Sequence, residues 1–177
     1  FCGTFHGNSH KITHFYHTQR GSQAGLFRRI EAGAVVSDLT VEDAVLAPDG
    51  SRSDVGILVG QNRGTLANCT VSGQVEGESR VGGLVGINET GGVIRGCTNQ
   101  AEVKASADAG GIVGHVYNAA VVTNNVNTAA EIGSANFAAG IVGSIQVDDA
   151  NSFLEDTYQI EIENNASTTA IENITGL

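Results

Sequence analysis

The chain has 177 residues, a formal charge of −10 and only 9 Lys and Arg. That balance excludes a nucleic-acid footprint, which needs clustered basic side chains, and disfavours an anionic membrane surface as a partner. No apolar run is long enough to span a bilayer as a helix, so membrane insertion by this segment is not expected.

Twenty-four glycines, one proline, 5% aromatics and no Met or Trp point away from a core of large side chains. They suit thin stacked layers of Val, Ile, Ala and Asn. The chain opens on Phe1 rather than Met and shows no signal peptide, so it is expected to be a fragment of a longer protein.

Residues 1–20 hold Phe1, Phe5, Ile12, Phe15 and Tyr16, and read as an N-terminal cap or first coil. His6, His10, His14 and His17 crowd the same stretch. On a helix the first three would share a face and could hold a metal. Gly3, Gly7 and Asn8 argue against a helix, and no metal or other cofactor is expected.

From residue 21 to 145 one phrase recurs. It reads Val55-Gly56-Ile57-Leu58-Val59-Gly60, Val81-Gly82-Gly83-Leu84-Val85-Gly86, Ala109-Gly110-Gly111-Ile112-Val113-Gly114 and Ala138-Ala139-Gly140-Ile141-Val142-Gly143, after a degenerate Ala24-Gly25-Leu26-Phe27. Spacings from Leu26 through Leu58, Leu84 and Ile112 to Ile141 are 32, 26, 28 and 29.

Short β-branched runs alternate with Gly, Asn, Asp and Ser, which reads as strands and turns. A single repeat cannot bury its apolar side, so the repeats must stack. The expected fold is therefore all-β, a short β-solenoid of about five stacked coils in one domain spanning 1–177. Residues 146–177 lose the phrase and form a C-terminal coil or cap, with Thr157 to Ile162 alternating like a strand.

Four inward columns follow: Leu26/Leu58/Leu84/Ile112/Ile141, Val36/Leu66/Ile94/Val122, Leu39/Cys69/Cys97/Val126 and Val45/Val75/Val103/Ile132. The last two keep a constant offset of six residues, and one residue is inserted between Val122 and Val126. The glycines of the phrase are expected at tight corners that need positive φ.

Gly-Gly-Leu-Val-Gly followed by Asn-Cys or Gly-Cys resembles the Glug motif of large bacterial surface proteins. The opening Gly3-Thr4-Phe5-His6-Gly7-Asn8-Ser9-His10-Lys11-Ile12 resembles the segment that precedes such repeats, Gly-Thr-Phe-Asp-Gly-Asn-Gly-His-x-Ile, with His6 and Ser9 departing from it. The resemblance covers residues 1–145. It implies an extracellular or bacterial cell-surface setting, adhesin-like proteins or the non-catalytic regions of secreted IgA-cleaving peptidases, and no catalytic residues.

The remaining chemistry is sparse. Cys69 and Cys97 should stack in neighbouring coils as buried thiols, and their parallel Cβ vectors suit a disulfide poorly. Asp38, Asp54, Glu76, Glu89 and Asp108 fall in different repeat phases, and only Asp148-Asp149 and Glu161/Glu163 are close pairs. A polysaccharide-acting β-helix enzyme would group its acids on one face.

The residue following the third column should point outward, giving the face Thr40, Thr70, Thr98 and Asn127 as the candidate binding surface. The expected function is a non-catalytic adhesive, recognition or spacer module. Its partners would be a host or neighbouring-cell protein or glycan, together with flanking domains of the same chain. The alternative is a region that positions substrate for a large IgA-type metallopeptidase.

Overall fold

The computed structural model describes residues 1–18, 21–47, 53–147 and 160–173. Among them every regular element is a strand, and every strand pairing is parallel. Each coil adds one rung to four sheets, met in the order C, D, A, B along the chain. In the second coil these rungs are Asp54–Gly56, Val59–Asn62, Thr65–Ala67 and Thr70–Gly77. Sheets C and D have five strands each, which makes five coils.

Before the first full coil, Thr4–His6 adds a strand to sheet A, and Lys11–Thr13 and Tyr16–His17 add to sheet B. The last coil ends in sheet A with Glu161–Glu163 and in sheet B with Ala166–Ser167 and Ala170–Asn173. Of the expected strand at 157–162, the last two residues lie in Glu161–Glu163, and residues 157–159 lie outside the described residues.

In-register stacking makes the inward positions into columns. Val36, Leu66, Ile94 and Val122 form one, all fully buried, as expected. Leu58, Leu84 and Ile112 are fully buried too, while Leu26 and Ile141, on the terminal coils, are half-buried against them.

Two columns shift by one residue. Val75, Val103 and Ile132 align with Leu46 and not with Val45, because an extra residue bulges between Val41 and Ala44, opposite Val71 and Gly73. Asp43 takes φ 52° there. In the fourth coil Val126 pairs with Thr98 and is exposed, so the residue stacked next to Cys97 is Asn125, fully buried. Val122 to Asn125 therefore match Ile94 to Cys97 with no insertion, and the extra residue falls later, between Asn127 and Ile132.

The glycines of the repeated phrase do not need positive φ. The described positive-φ glycines are Gly33, Gly73, Gly91 and Gly96, all outside the phrase. The phrase glycines serve close approach. A Cβ on Gly56 would lie 2.6 Å from both Val59 O and Val85 Cα, and one on Gly86 would lie 2.5 Å from the Asp54 carbonyl carbon. Sheets C and D thus pack backbone to backbone, and only glycine leaves the room.

Positive φ falls instead at the corner from sheet A to sheet B, on Asp38 (55°), Asn68 (53°), Gly96 (63°), Asn124 (56°) and Asn164 (55°). Asn and Asp tolerate this conformation better than other non-glycine residues, so this corner carries Asn or Asp in every coil but the third, where Gly96 takes the place.

Candidate functional site

The expected outward row is in register for three of its four members. Thr40, Thr70 and Thr98 stack on sheet B, half-exposed, with Lys11 before them. The fourth place belongs to Val126, followed by Ala166. Asn127 is not on this face: it pairs with Asn99 and is fully buried. Its amide donates to Ser167 Oγ at 3.1 Å and Thr169 Oγ1 at 2.7 Å. The one-residue shift in the fourth coil moves the whole assignment, since neighbouring strand residues face opposite sides.

Asn127 belongs to an inward set of amides that complete backbone hydrogen bonding. Asn99 Nδ2 donates to Asn127 Oδ1 at 2.9 Å and to Ala101 O at 3.0 Å, and Asn99 Oδ1 accepts from Ala101 N at 3.0 Å. Asn62 and Asn88 repeat the device after sheet D, joined at 2.7 Å and bonded to Gly64 and Gly92. In the corner column the Cys69 N–H approaches Cys97 Sγ at 3.4 Å, and Cys97 N donates to Asn125 Oδ1 at 2.9 Å. Asn125 N in turn donates to Asn165 Oδ1 at 2.9 Å.

Cys69 and Cys97 are free, buried thiols, and Cys2 is exposed. The hydrogen bond between the two buried thiols lowers Cys69 and raises Cys97, and burial adds to the rise at Cys97. With Cys97 held protonated and both sulfurs buried, the pair lacks the exposed thiolate of a reactive cysteine.

Two His–Ser–Asp chains link neighbouring coils. His6 Nδ1 stands 2.8 Å from Ser37 Oγ, which donates to Asp38 Oδ2 at 2.7 Å, and Asn68 donates to Asp38 Oδ1 at 3.2 Å. The hydrogen bonds from Ser37 and Asn68 hold the Asp38 carboxyl below its usual range. His115 Nδ1 stands 2.8 Å from Ser144 Oγ, which donates to Asp108 Oδ2 at 2.9 Å.

In both chains the serine proton goes to the carboxylate, so the imidazole must donate to the serine. That is the reverse of a nucleophilic triad, in which histidine takes the serine proton. Each His–Ser contact joins in-register neighbours of adjacent coils. These are cross-strand pairs that hold layers together.

The second chain ends a polar seam between sheets C and D that the sequence analysis missed. Gln23 Nε2 donates to Gln61 Oε1 at 2.9 Å, Gln61 donates to Glu89, and Arg63 pairs with Glu89. Arg80 Nε and Asp54 Oδ1 are 2.6 Å apart, an ion contact without hydrogen-bond alignment. Burial raises the Asp54 carboxyl against the pull of Arg80. Burial, then the nearby Arg80, lowers the His115 imidazole. The signal was present: Asp54, Arg80 and Asp108 each immediately precede the recurrent phrase.

The other expected features stay apart. His10 Nδ1 bonds Gly7 O at 2.9 Å and closes the first turn. Among the described residues no three His, Cys, Asp or Glu are grouped to hold a metal ion. Glu161 and Glu163 are exposed on sheet A, and Asp148 and Asp149 lie outside the described residues.

The chain is 37% identical over 87 residues to Halomucin from Haloquadratum walsbyi (strain DSM 16790 / HBSQ001). The matched stretch covers 49% of this chain and 1% of Halomucin, so the likeness is to a small part of a far longer protein. No solved structure matches the chain. The GLUG motif matches residues 77–104, from the end of the sheet B strand of the second coil into that of the third.

Proposed function

We propose that the chain is a non-catalytic module of a secreted or cell-surface protein, acting as a stiff spacer. The observation that carries this is the all-parallel stack of five coils. Every coil is bonded to the next through four sheets, and the buried amides repeat layer after layer. Such a stack resists bending and sets a fixed distance between whatever flanks it. The GLUG repeat and the likeness to Halomucin support a surface-protein setting. The His–Ser–Asp chains are wired against nucleophilic catalysis, which supports a role without chemistry.

A second reading, recognition of a host or neighbouring-cell protein or glycan, rests on the threonine row Thr40, Thr70 and Thr98 on sheet B. Among the described residues that sheet offers one exposed aromatic, Tyr16 in its first layer, and no Arg; a face with so few of the anchors that dominate binding energy favours the spacer. The test is binding of the purified chain to an array of host glycoproteins, glycans and immunoglobulins, beside a Thr70→Arg/Thr98→Arg variant. No saturable signal is expected. A saturable signal abolished by the double variant overturns the spacer reading and makes sheet B a recognition face.

A further inference from the structure

We infer that Asn68 is an N-glycan acceptor, modified as the chain is exported. Asn-x-Ser/Thr triplets begin at Asn68, Asn88, Asn165 and Asn173, and an N-glycan needs that pattern on an exposed amide of a secreted chain. The inference therefore rests on the secreted or cell-surface reading, and it deepens it.

The fold separates the triplets whose asparagine side chains are described. Asn88 is fully buried, and its amide donates to Gly92 O at 3.1 Å and Val121 O at 3.3 Å. Asn165 is half-buried and donates to Val122 O at 2.7 Å, while its oxygen accepts from Asn125 N at 2.9 Å. Both amides join coil to coil, and a sugar on either nitrogen would have to enter the stack.

Asn68 is exposed, on the corner from sheet A to sheet B, with φ 53°. Its amide donates to Asp38 Oδ1 at 3.2 Å, and a linked amide keeps one N–H for that bond. The next coil places Gly96 at this corner, where a Cβ would stand 2.7 Å from Asn68 Oδ1. No side chain of that position covers the acceptor. Thr70, which supplies the hydroxyl of the triplet, is half-exposed on the outward row of sheet B.

The donor is a lipid-linked saccharide phosphate or pyrophosphate. Asn68 Nδ2 attacks its C1, the Nδ2–C1 bond forms, and the C1–O bond to phosphate breaks. The electron pair leaves with the lipid phosphate, and one amide proton passes to a base of the transferase. The order of synthesis allows this before the corner is locked. Asn68 N and Cys69 N bond Arg95 O at 3.1 Å and Cys97 Sγ at 3.4 Å, both on the next coil, and Cys97 is made 28 residues later. A glycan here stands beside the row Thr40, Thr70 and Thr98 and screens it.

The test is glycopeptide mass spectrometry on the chain isolated from the cells that make it, with surface, medium and cytoplasmic fractions kept apart. Chain from the surface or medium should carry a sugar mass increment on Asn68 and none on Asn88. Thr70→Val, which keeps a β-branched strand residue but removes the hydroxyl, should abolish the increment, and Thr70→Ser should retain it. Should Thr70→Val fail to fold, Asn68→Gly removes the acceptor at a φ that glycine adopts freely. A bare Asn68 in surface or secreted chain, a sugar on Asn88, or an increment that survives these losses overturns the inference and leaves the surface reading standing. Recovery of the chain from the cytoplasm alone overturns both.

Discussion

The first two coils and the next two solve one packing problem in different ways. In the first pair the inward residue early in the sheet B strand is Val41 or Val71, and the strand runs on without a break, Thr40–Leu46 and Thr70–Gly77. In the next pair that position is Asn99 or Asn127, and the strand breaks after it. The amide then takes over for the missing rung by bonding Ala101 or Ala129. Across the core, Gly83 and Gly111 face these amides, where the second coil carries Ile57. A polar core residue thus demands a glycine opposite it, and a β-branched one permits a bulky neighbour. A buried amide costs little only when its hydrogen bonds are complete.

The comparison breaks most sharply at Gly83. A Cβ there collides with the Asn99 side chain and with Gly111 O. Gly83→Ile should cost about 3 kcal/mol by overpacking, read from urea unfolding. Adding Asn99→Val, which copies the second coil, should recover part of the loss, and strict additivity would refute the pairing.

Next comes Asn99→Leu alone, which strands Ala101 N–H and takes one donor from Asn127 Oδ1. It should cost about 2 kcal/mol, while Val71→Leu, at the register-equivalent place, should cost less. Gly96→Ala, at φ 63°, should cost about 1 kcal/mol, with Asn68→Gly close to neutral at the same corner.

The smallest effect is in pH. Burial and Arg80 hold His115 below its ordinary value, so on acidification the unfolded chain gains a proton first. Stability should fall as pH drops through the usual histidine range, around 6.5. His115→Gln should flatten that fall in urea midpoints. Asp54 works in the opposite sense at lower pH, since its raised carboxyl adds stability as it protonates.

The stack, the phrase and the columns through Leu58 and Leu66 were legible, because the same apolar phrase returns every 26 to 32 residues. The slips share one cause. Sequence reading took the nearest apolar residue as the inward one, and so chose Val126 over Asn125 and Val45 over Leu46. A core position filled by asparagine looks like a loop until its backbone partners are known.

The glycines misled for a related reason. Glycine signals either positive φ or close approach, and only the pairing of sheets C and D decides which. The polar seam from Gln23 to Ser144 was hidden because its members come from two sheets and different coils.

Parallel stacking stores chain very compactly along one axis. A coil of roughly 28 residues adds about 4.8 Å to the stack but about 95 Å of contour when pulled straight. Traction on a terminal coil loads the rungs one after another, like a zip, whereas compression along the axis loads all four sheets together. The same molecule is therefore a strut under compression and, once its outer coil yields, a tether that lengthens by many times its own height.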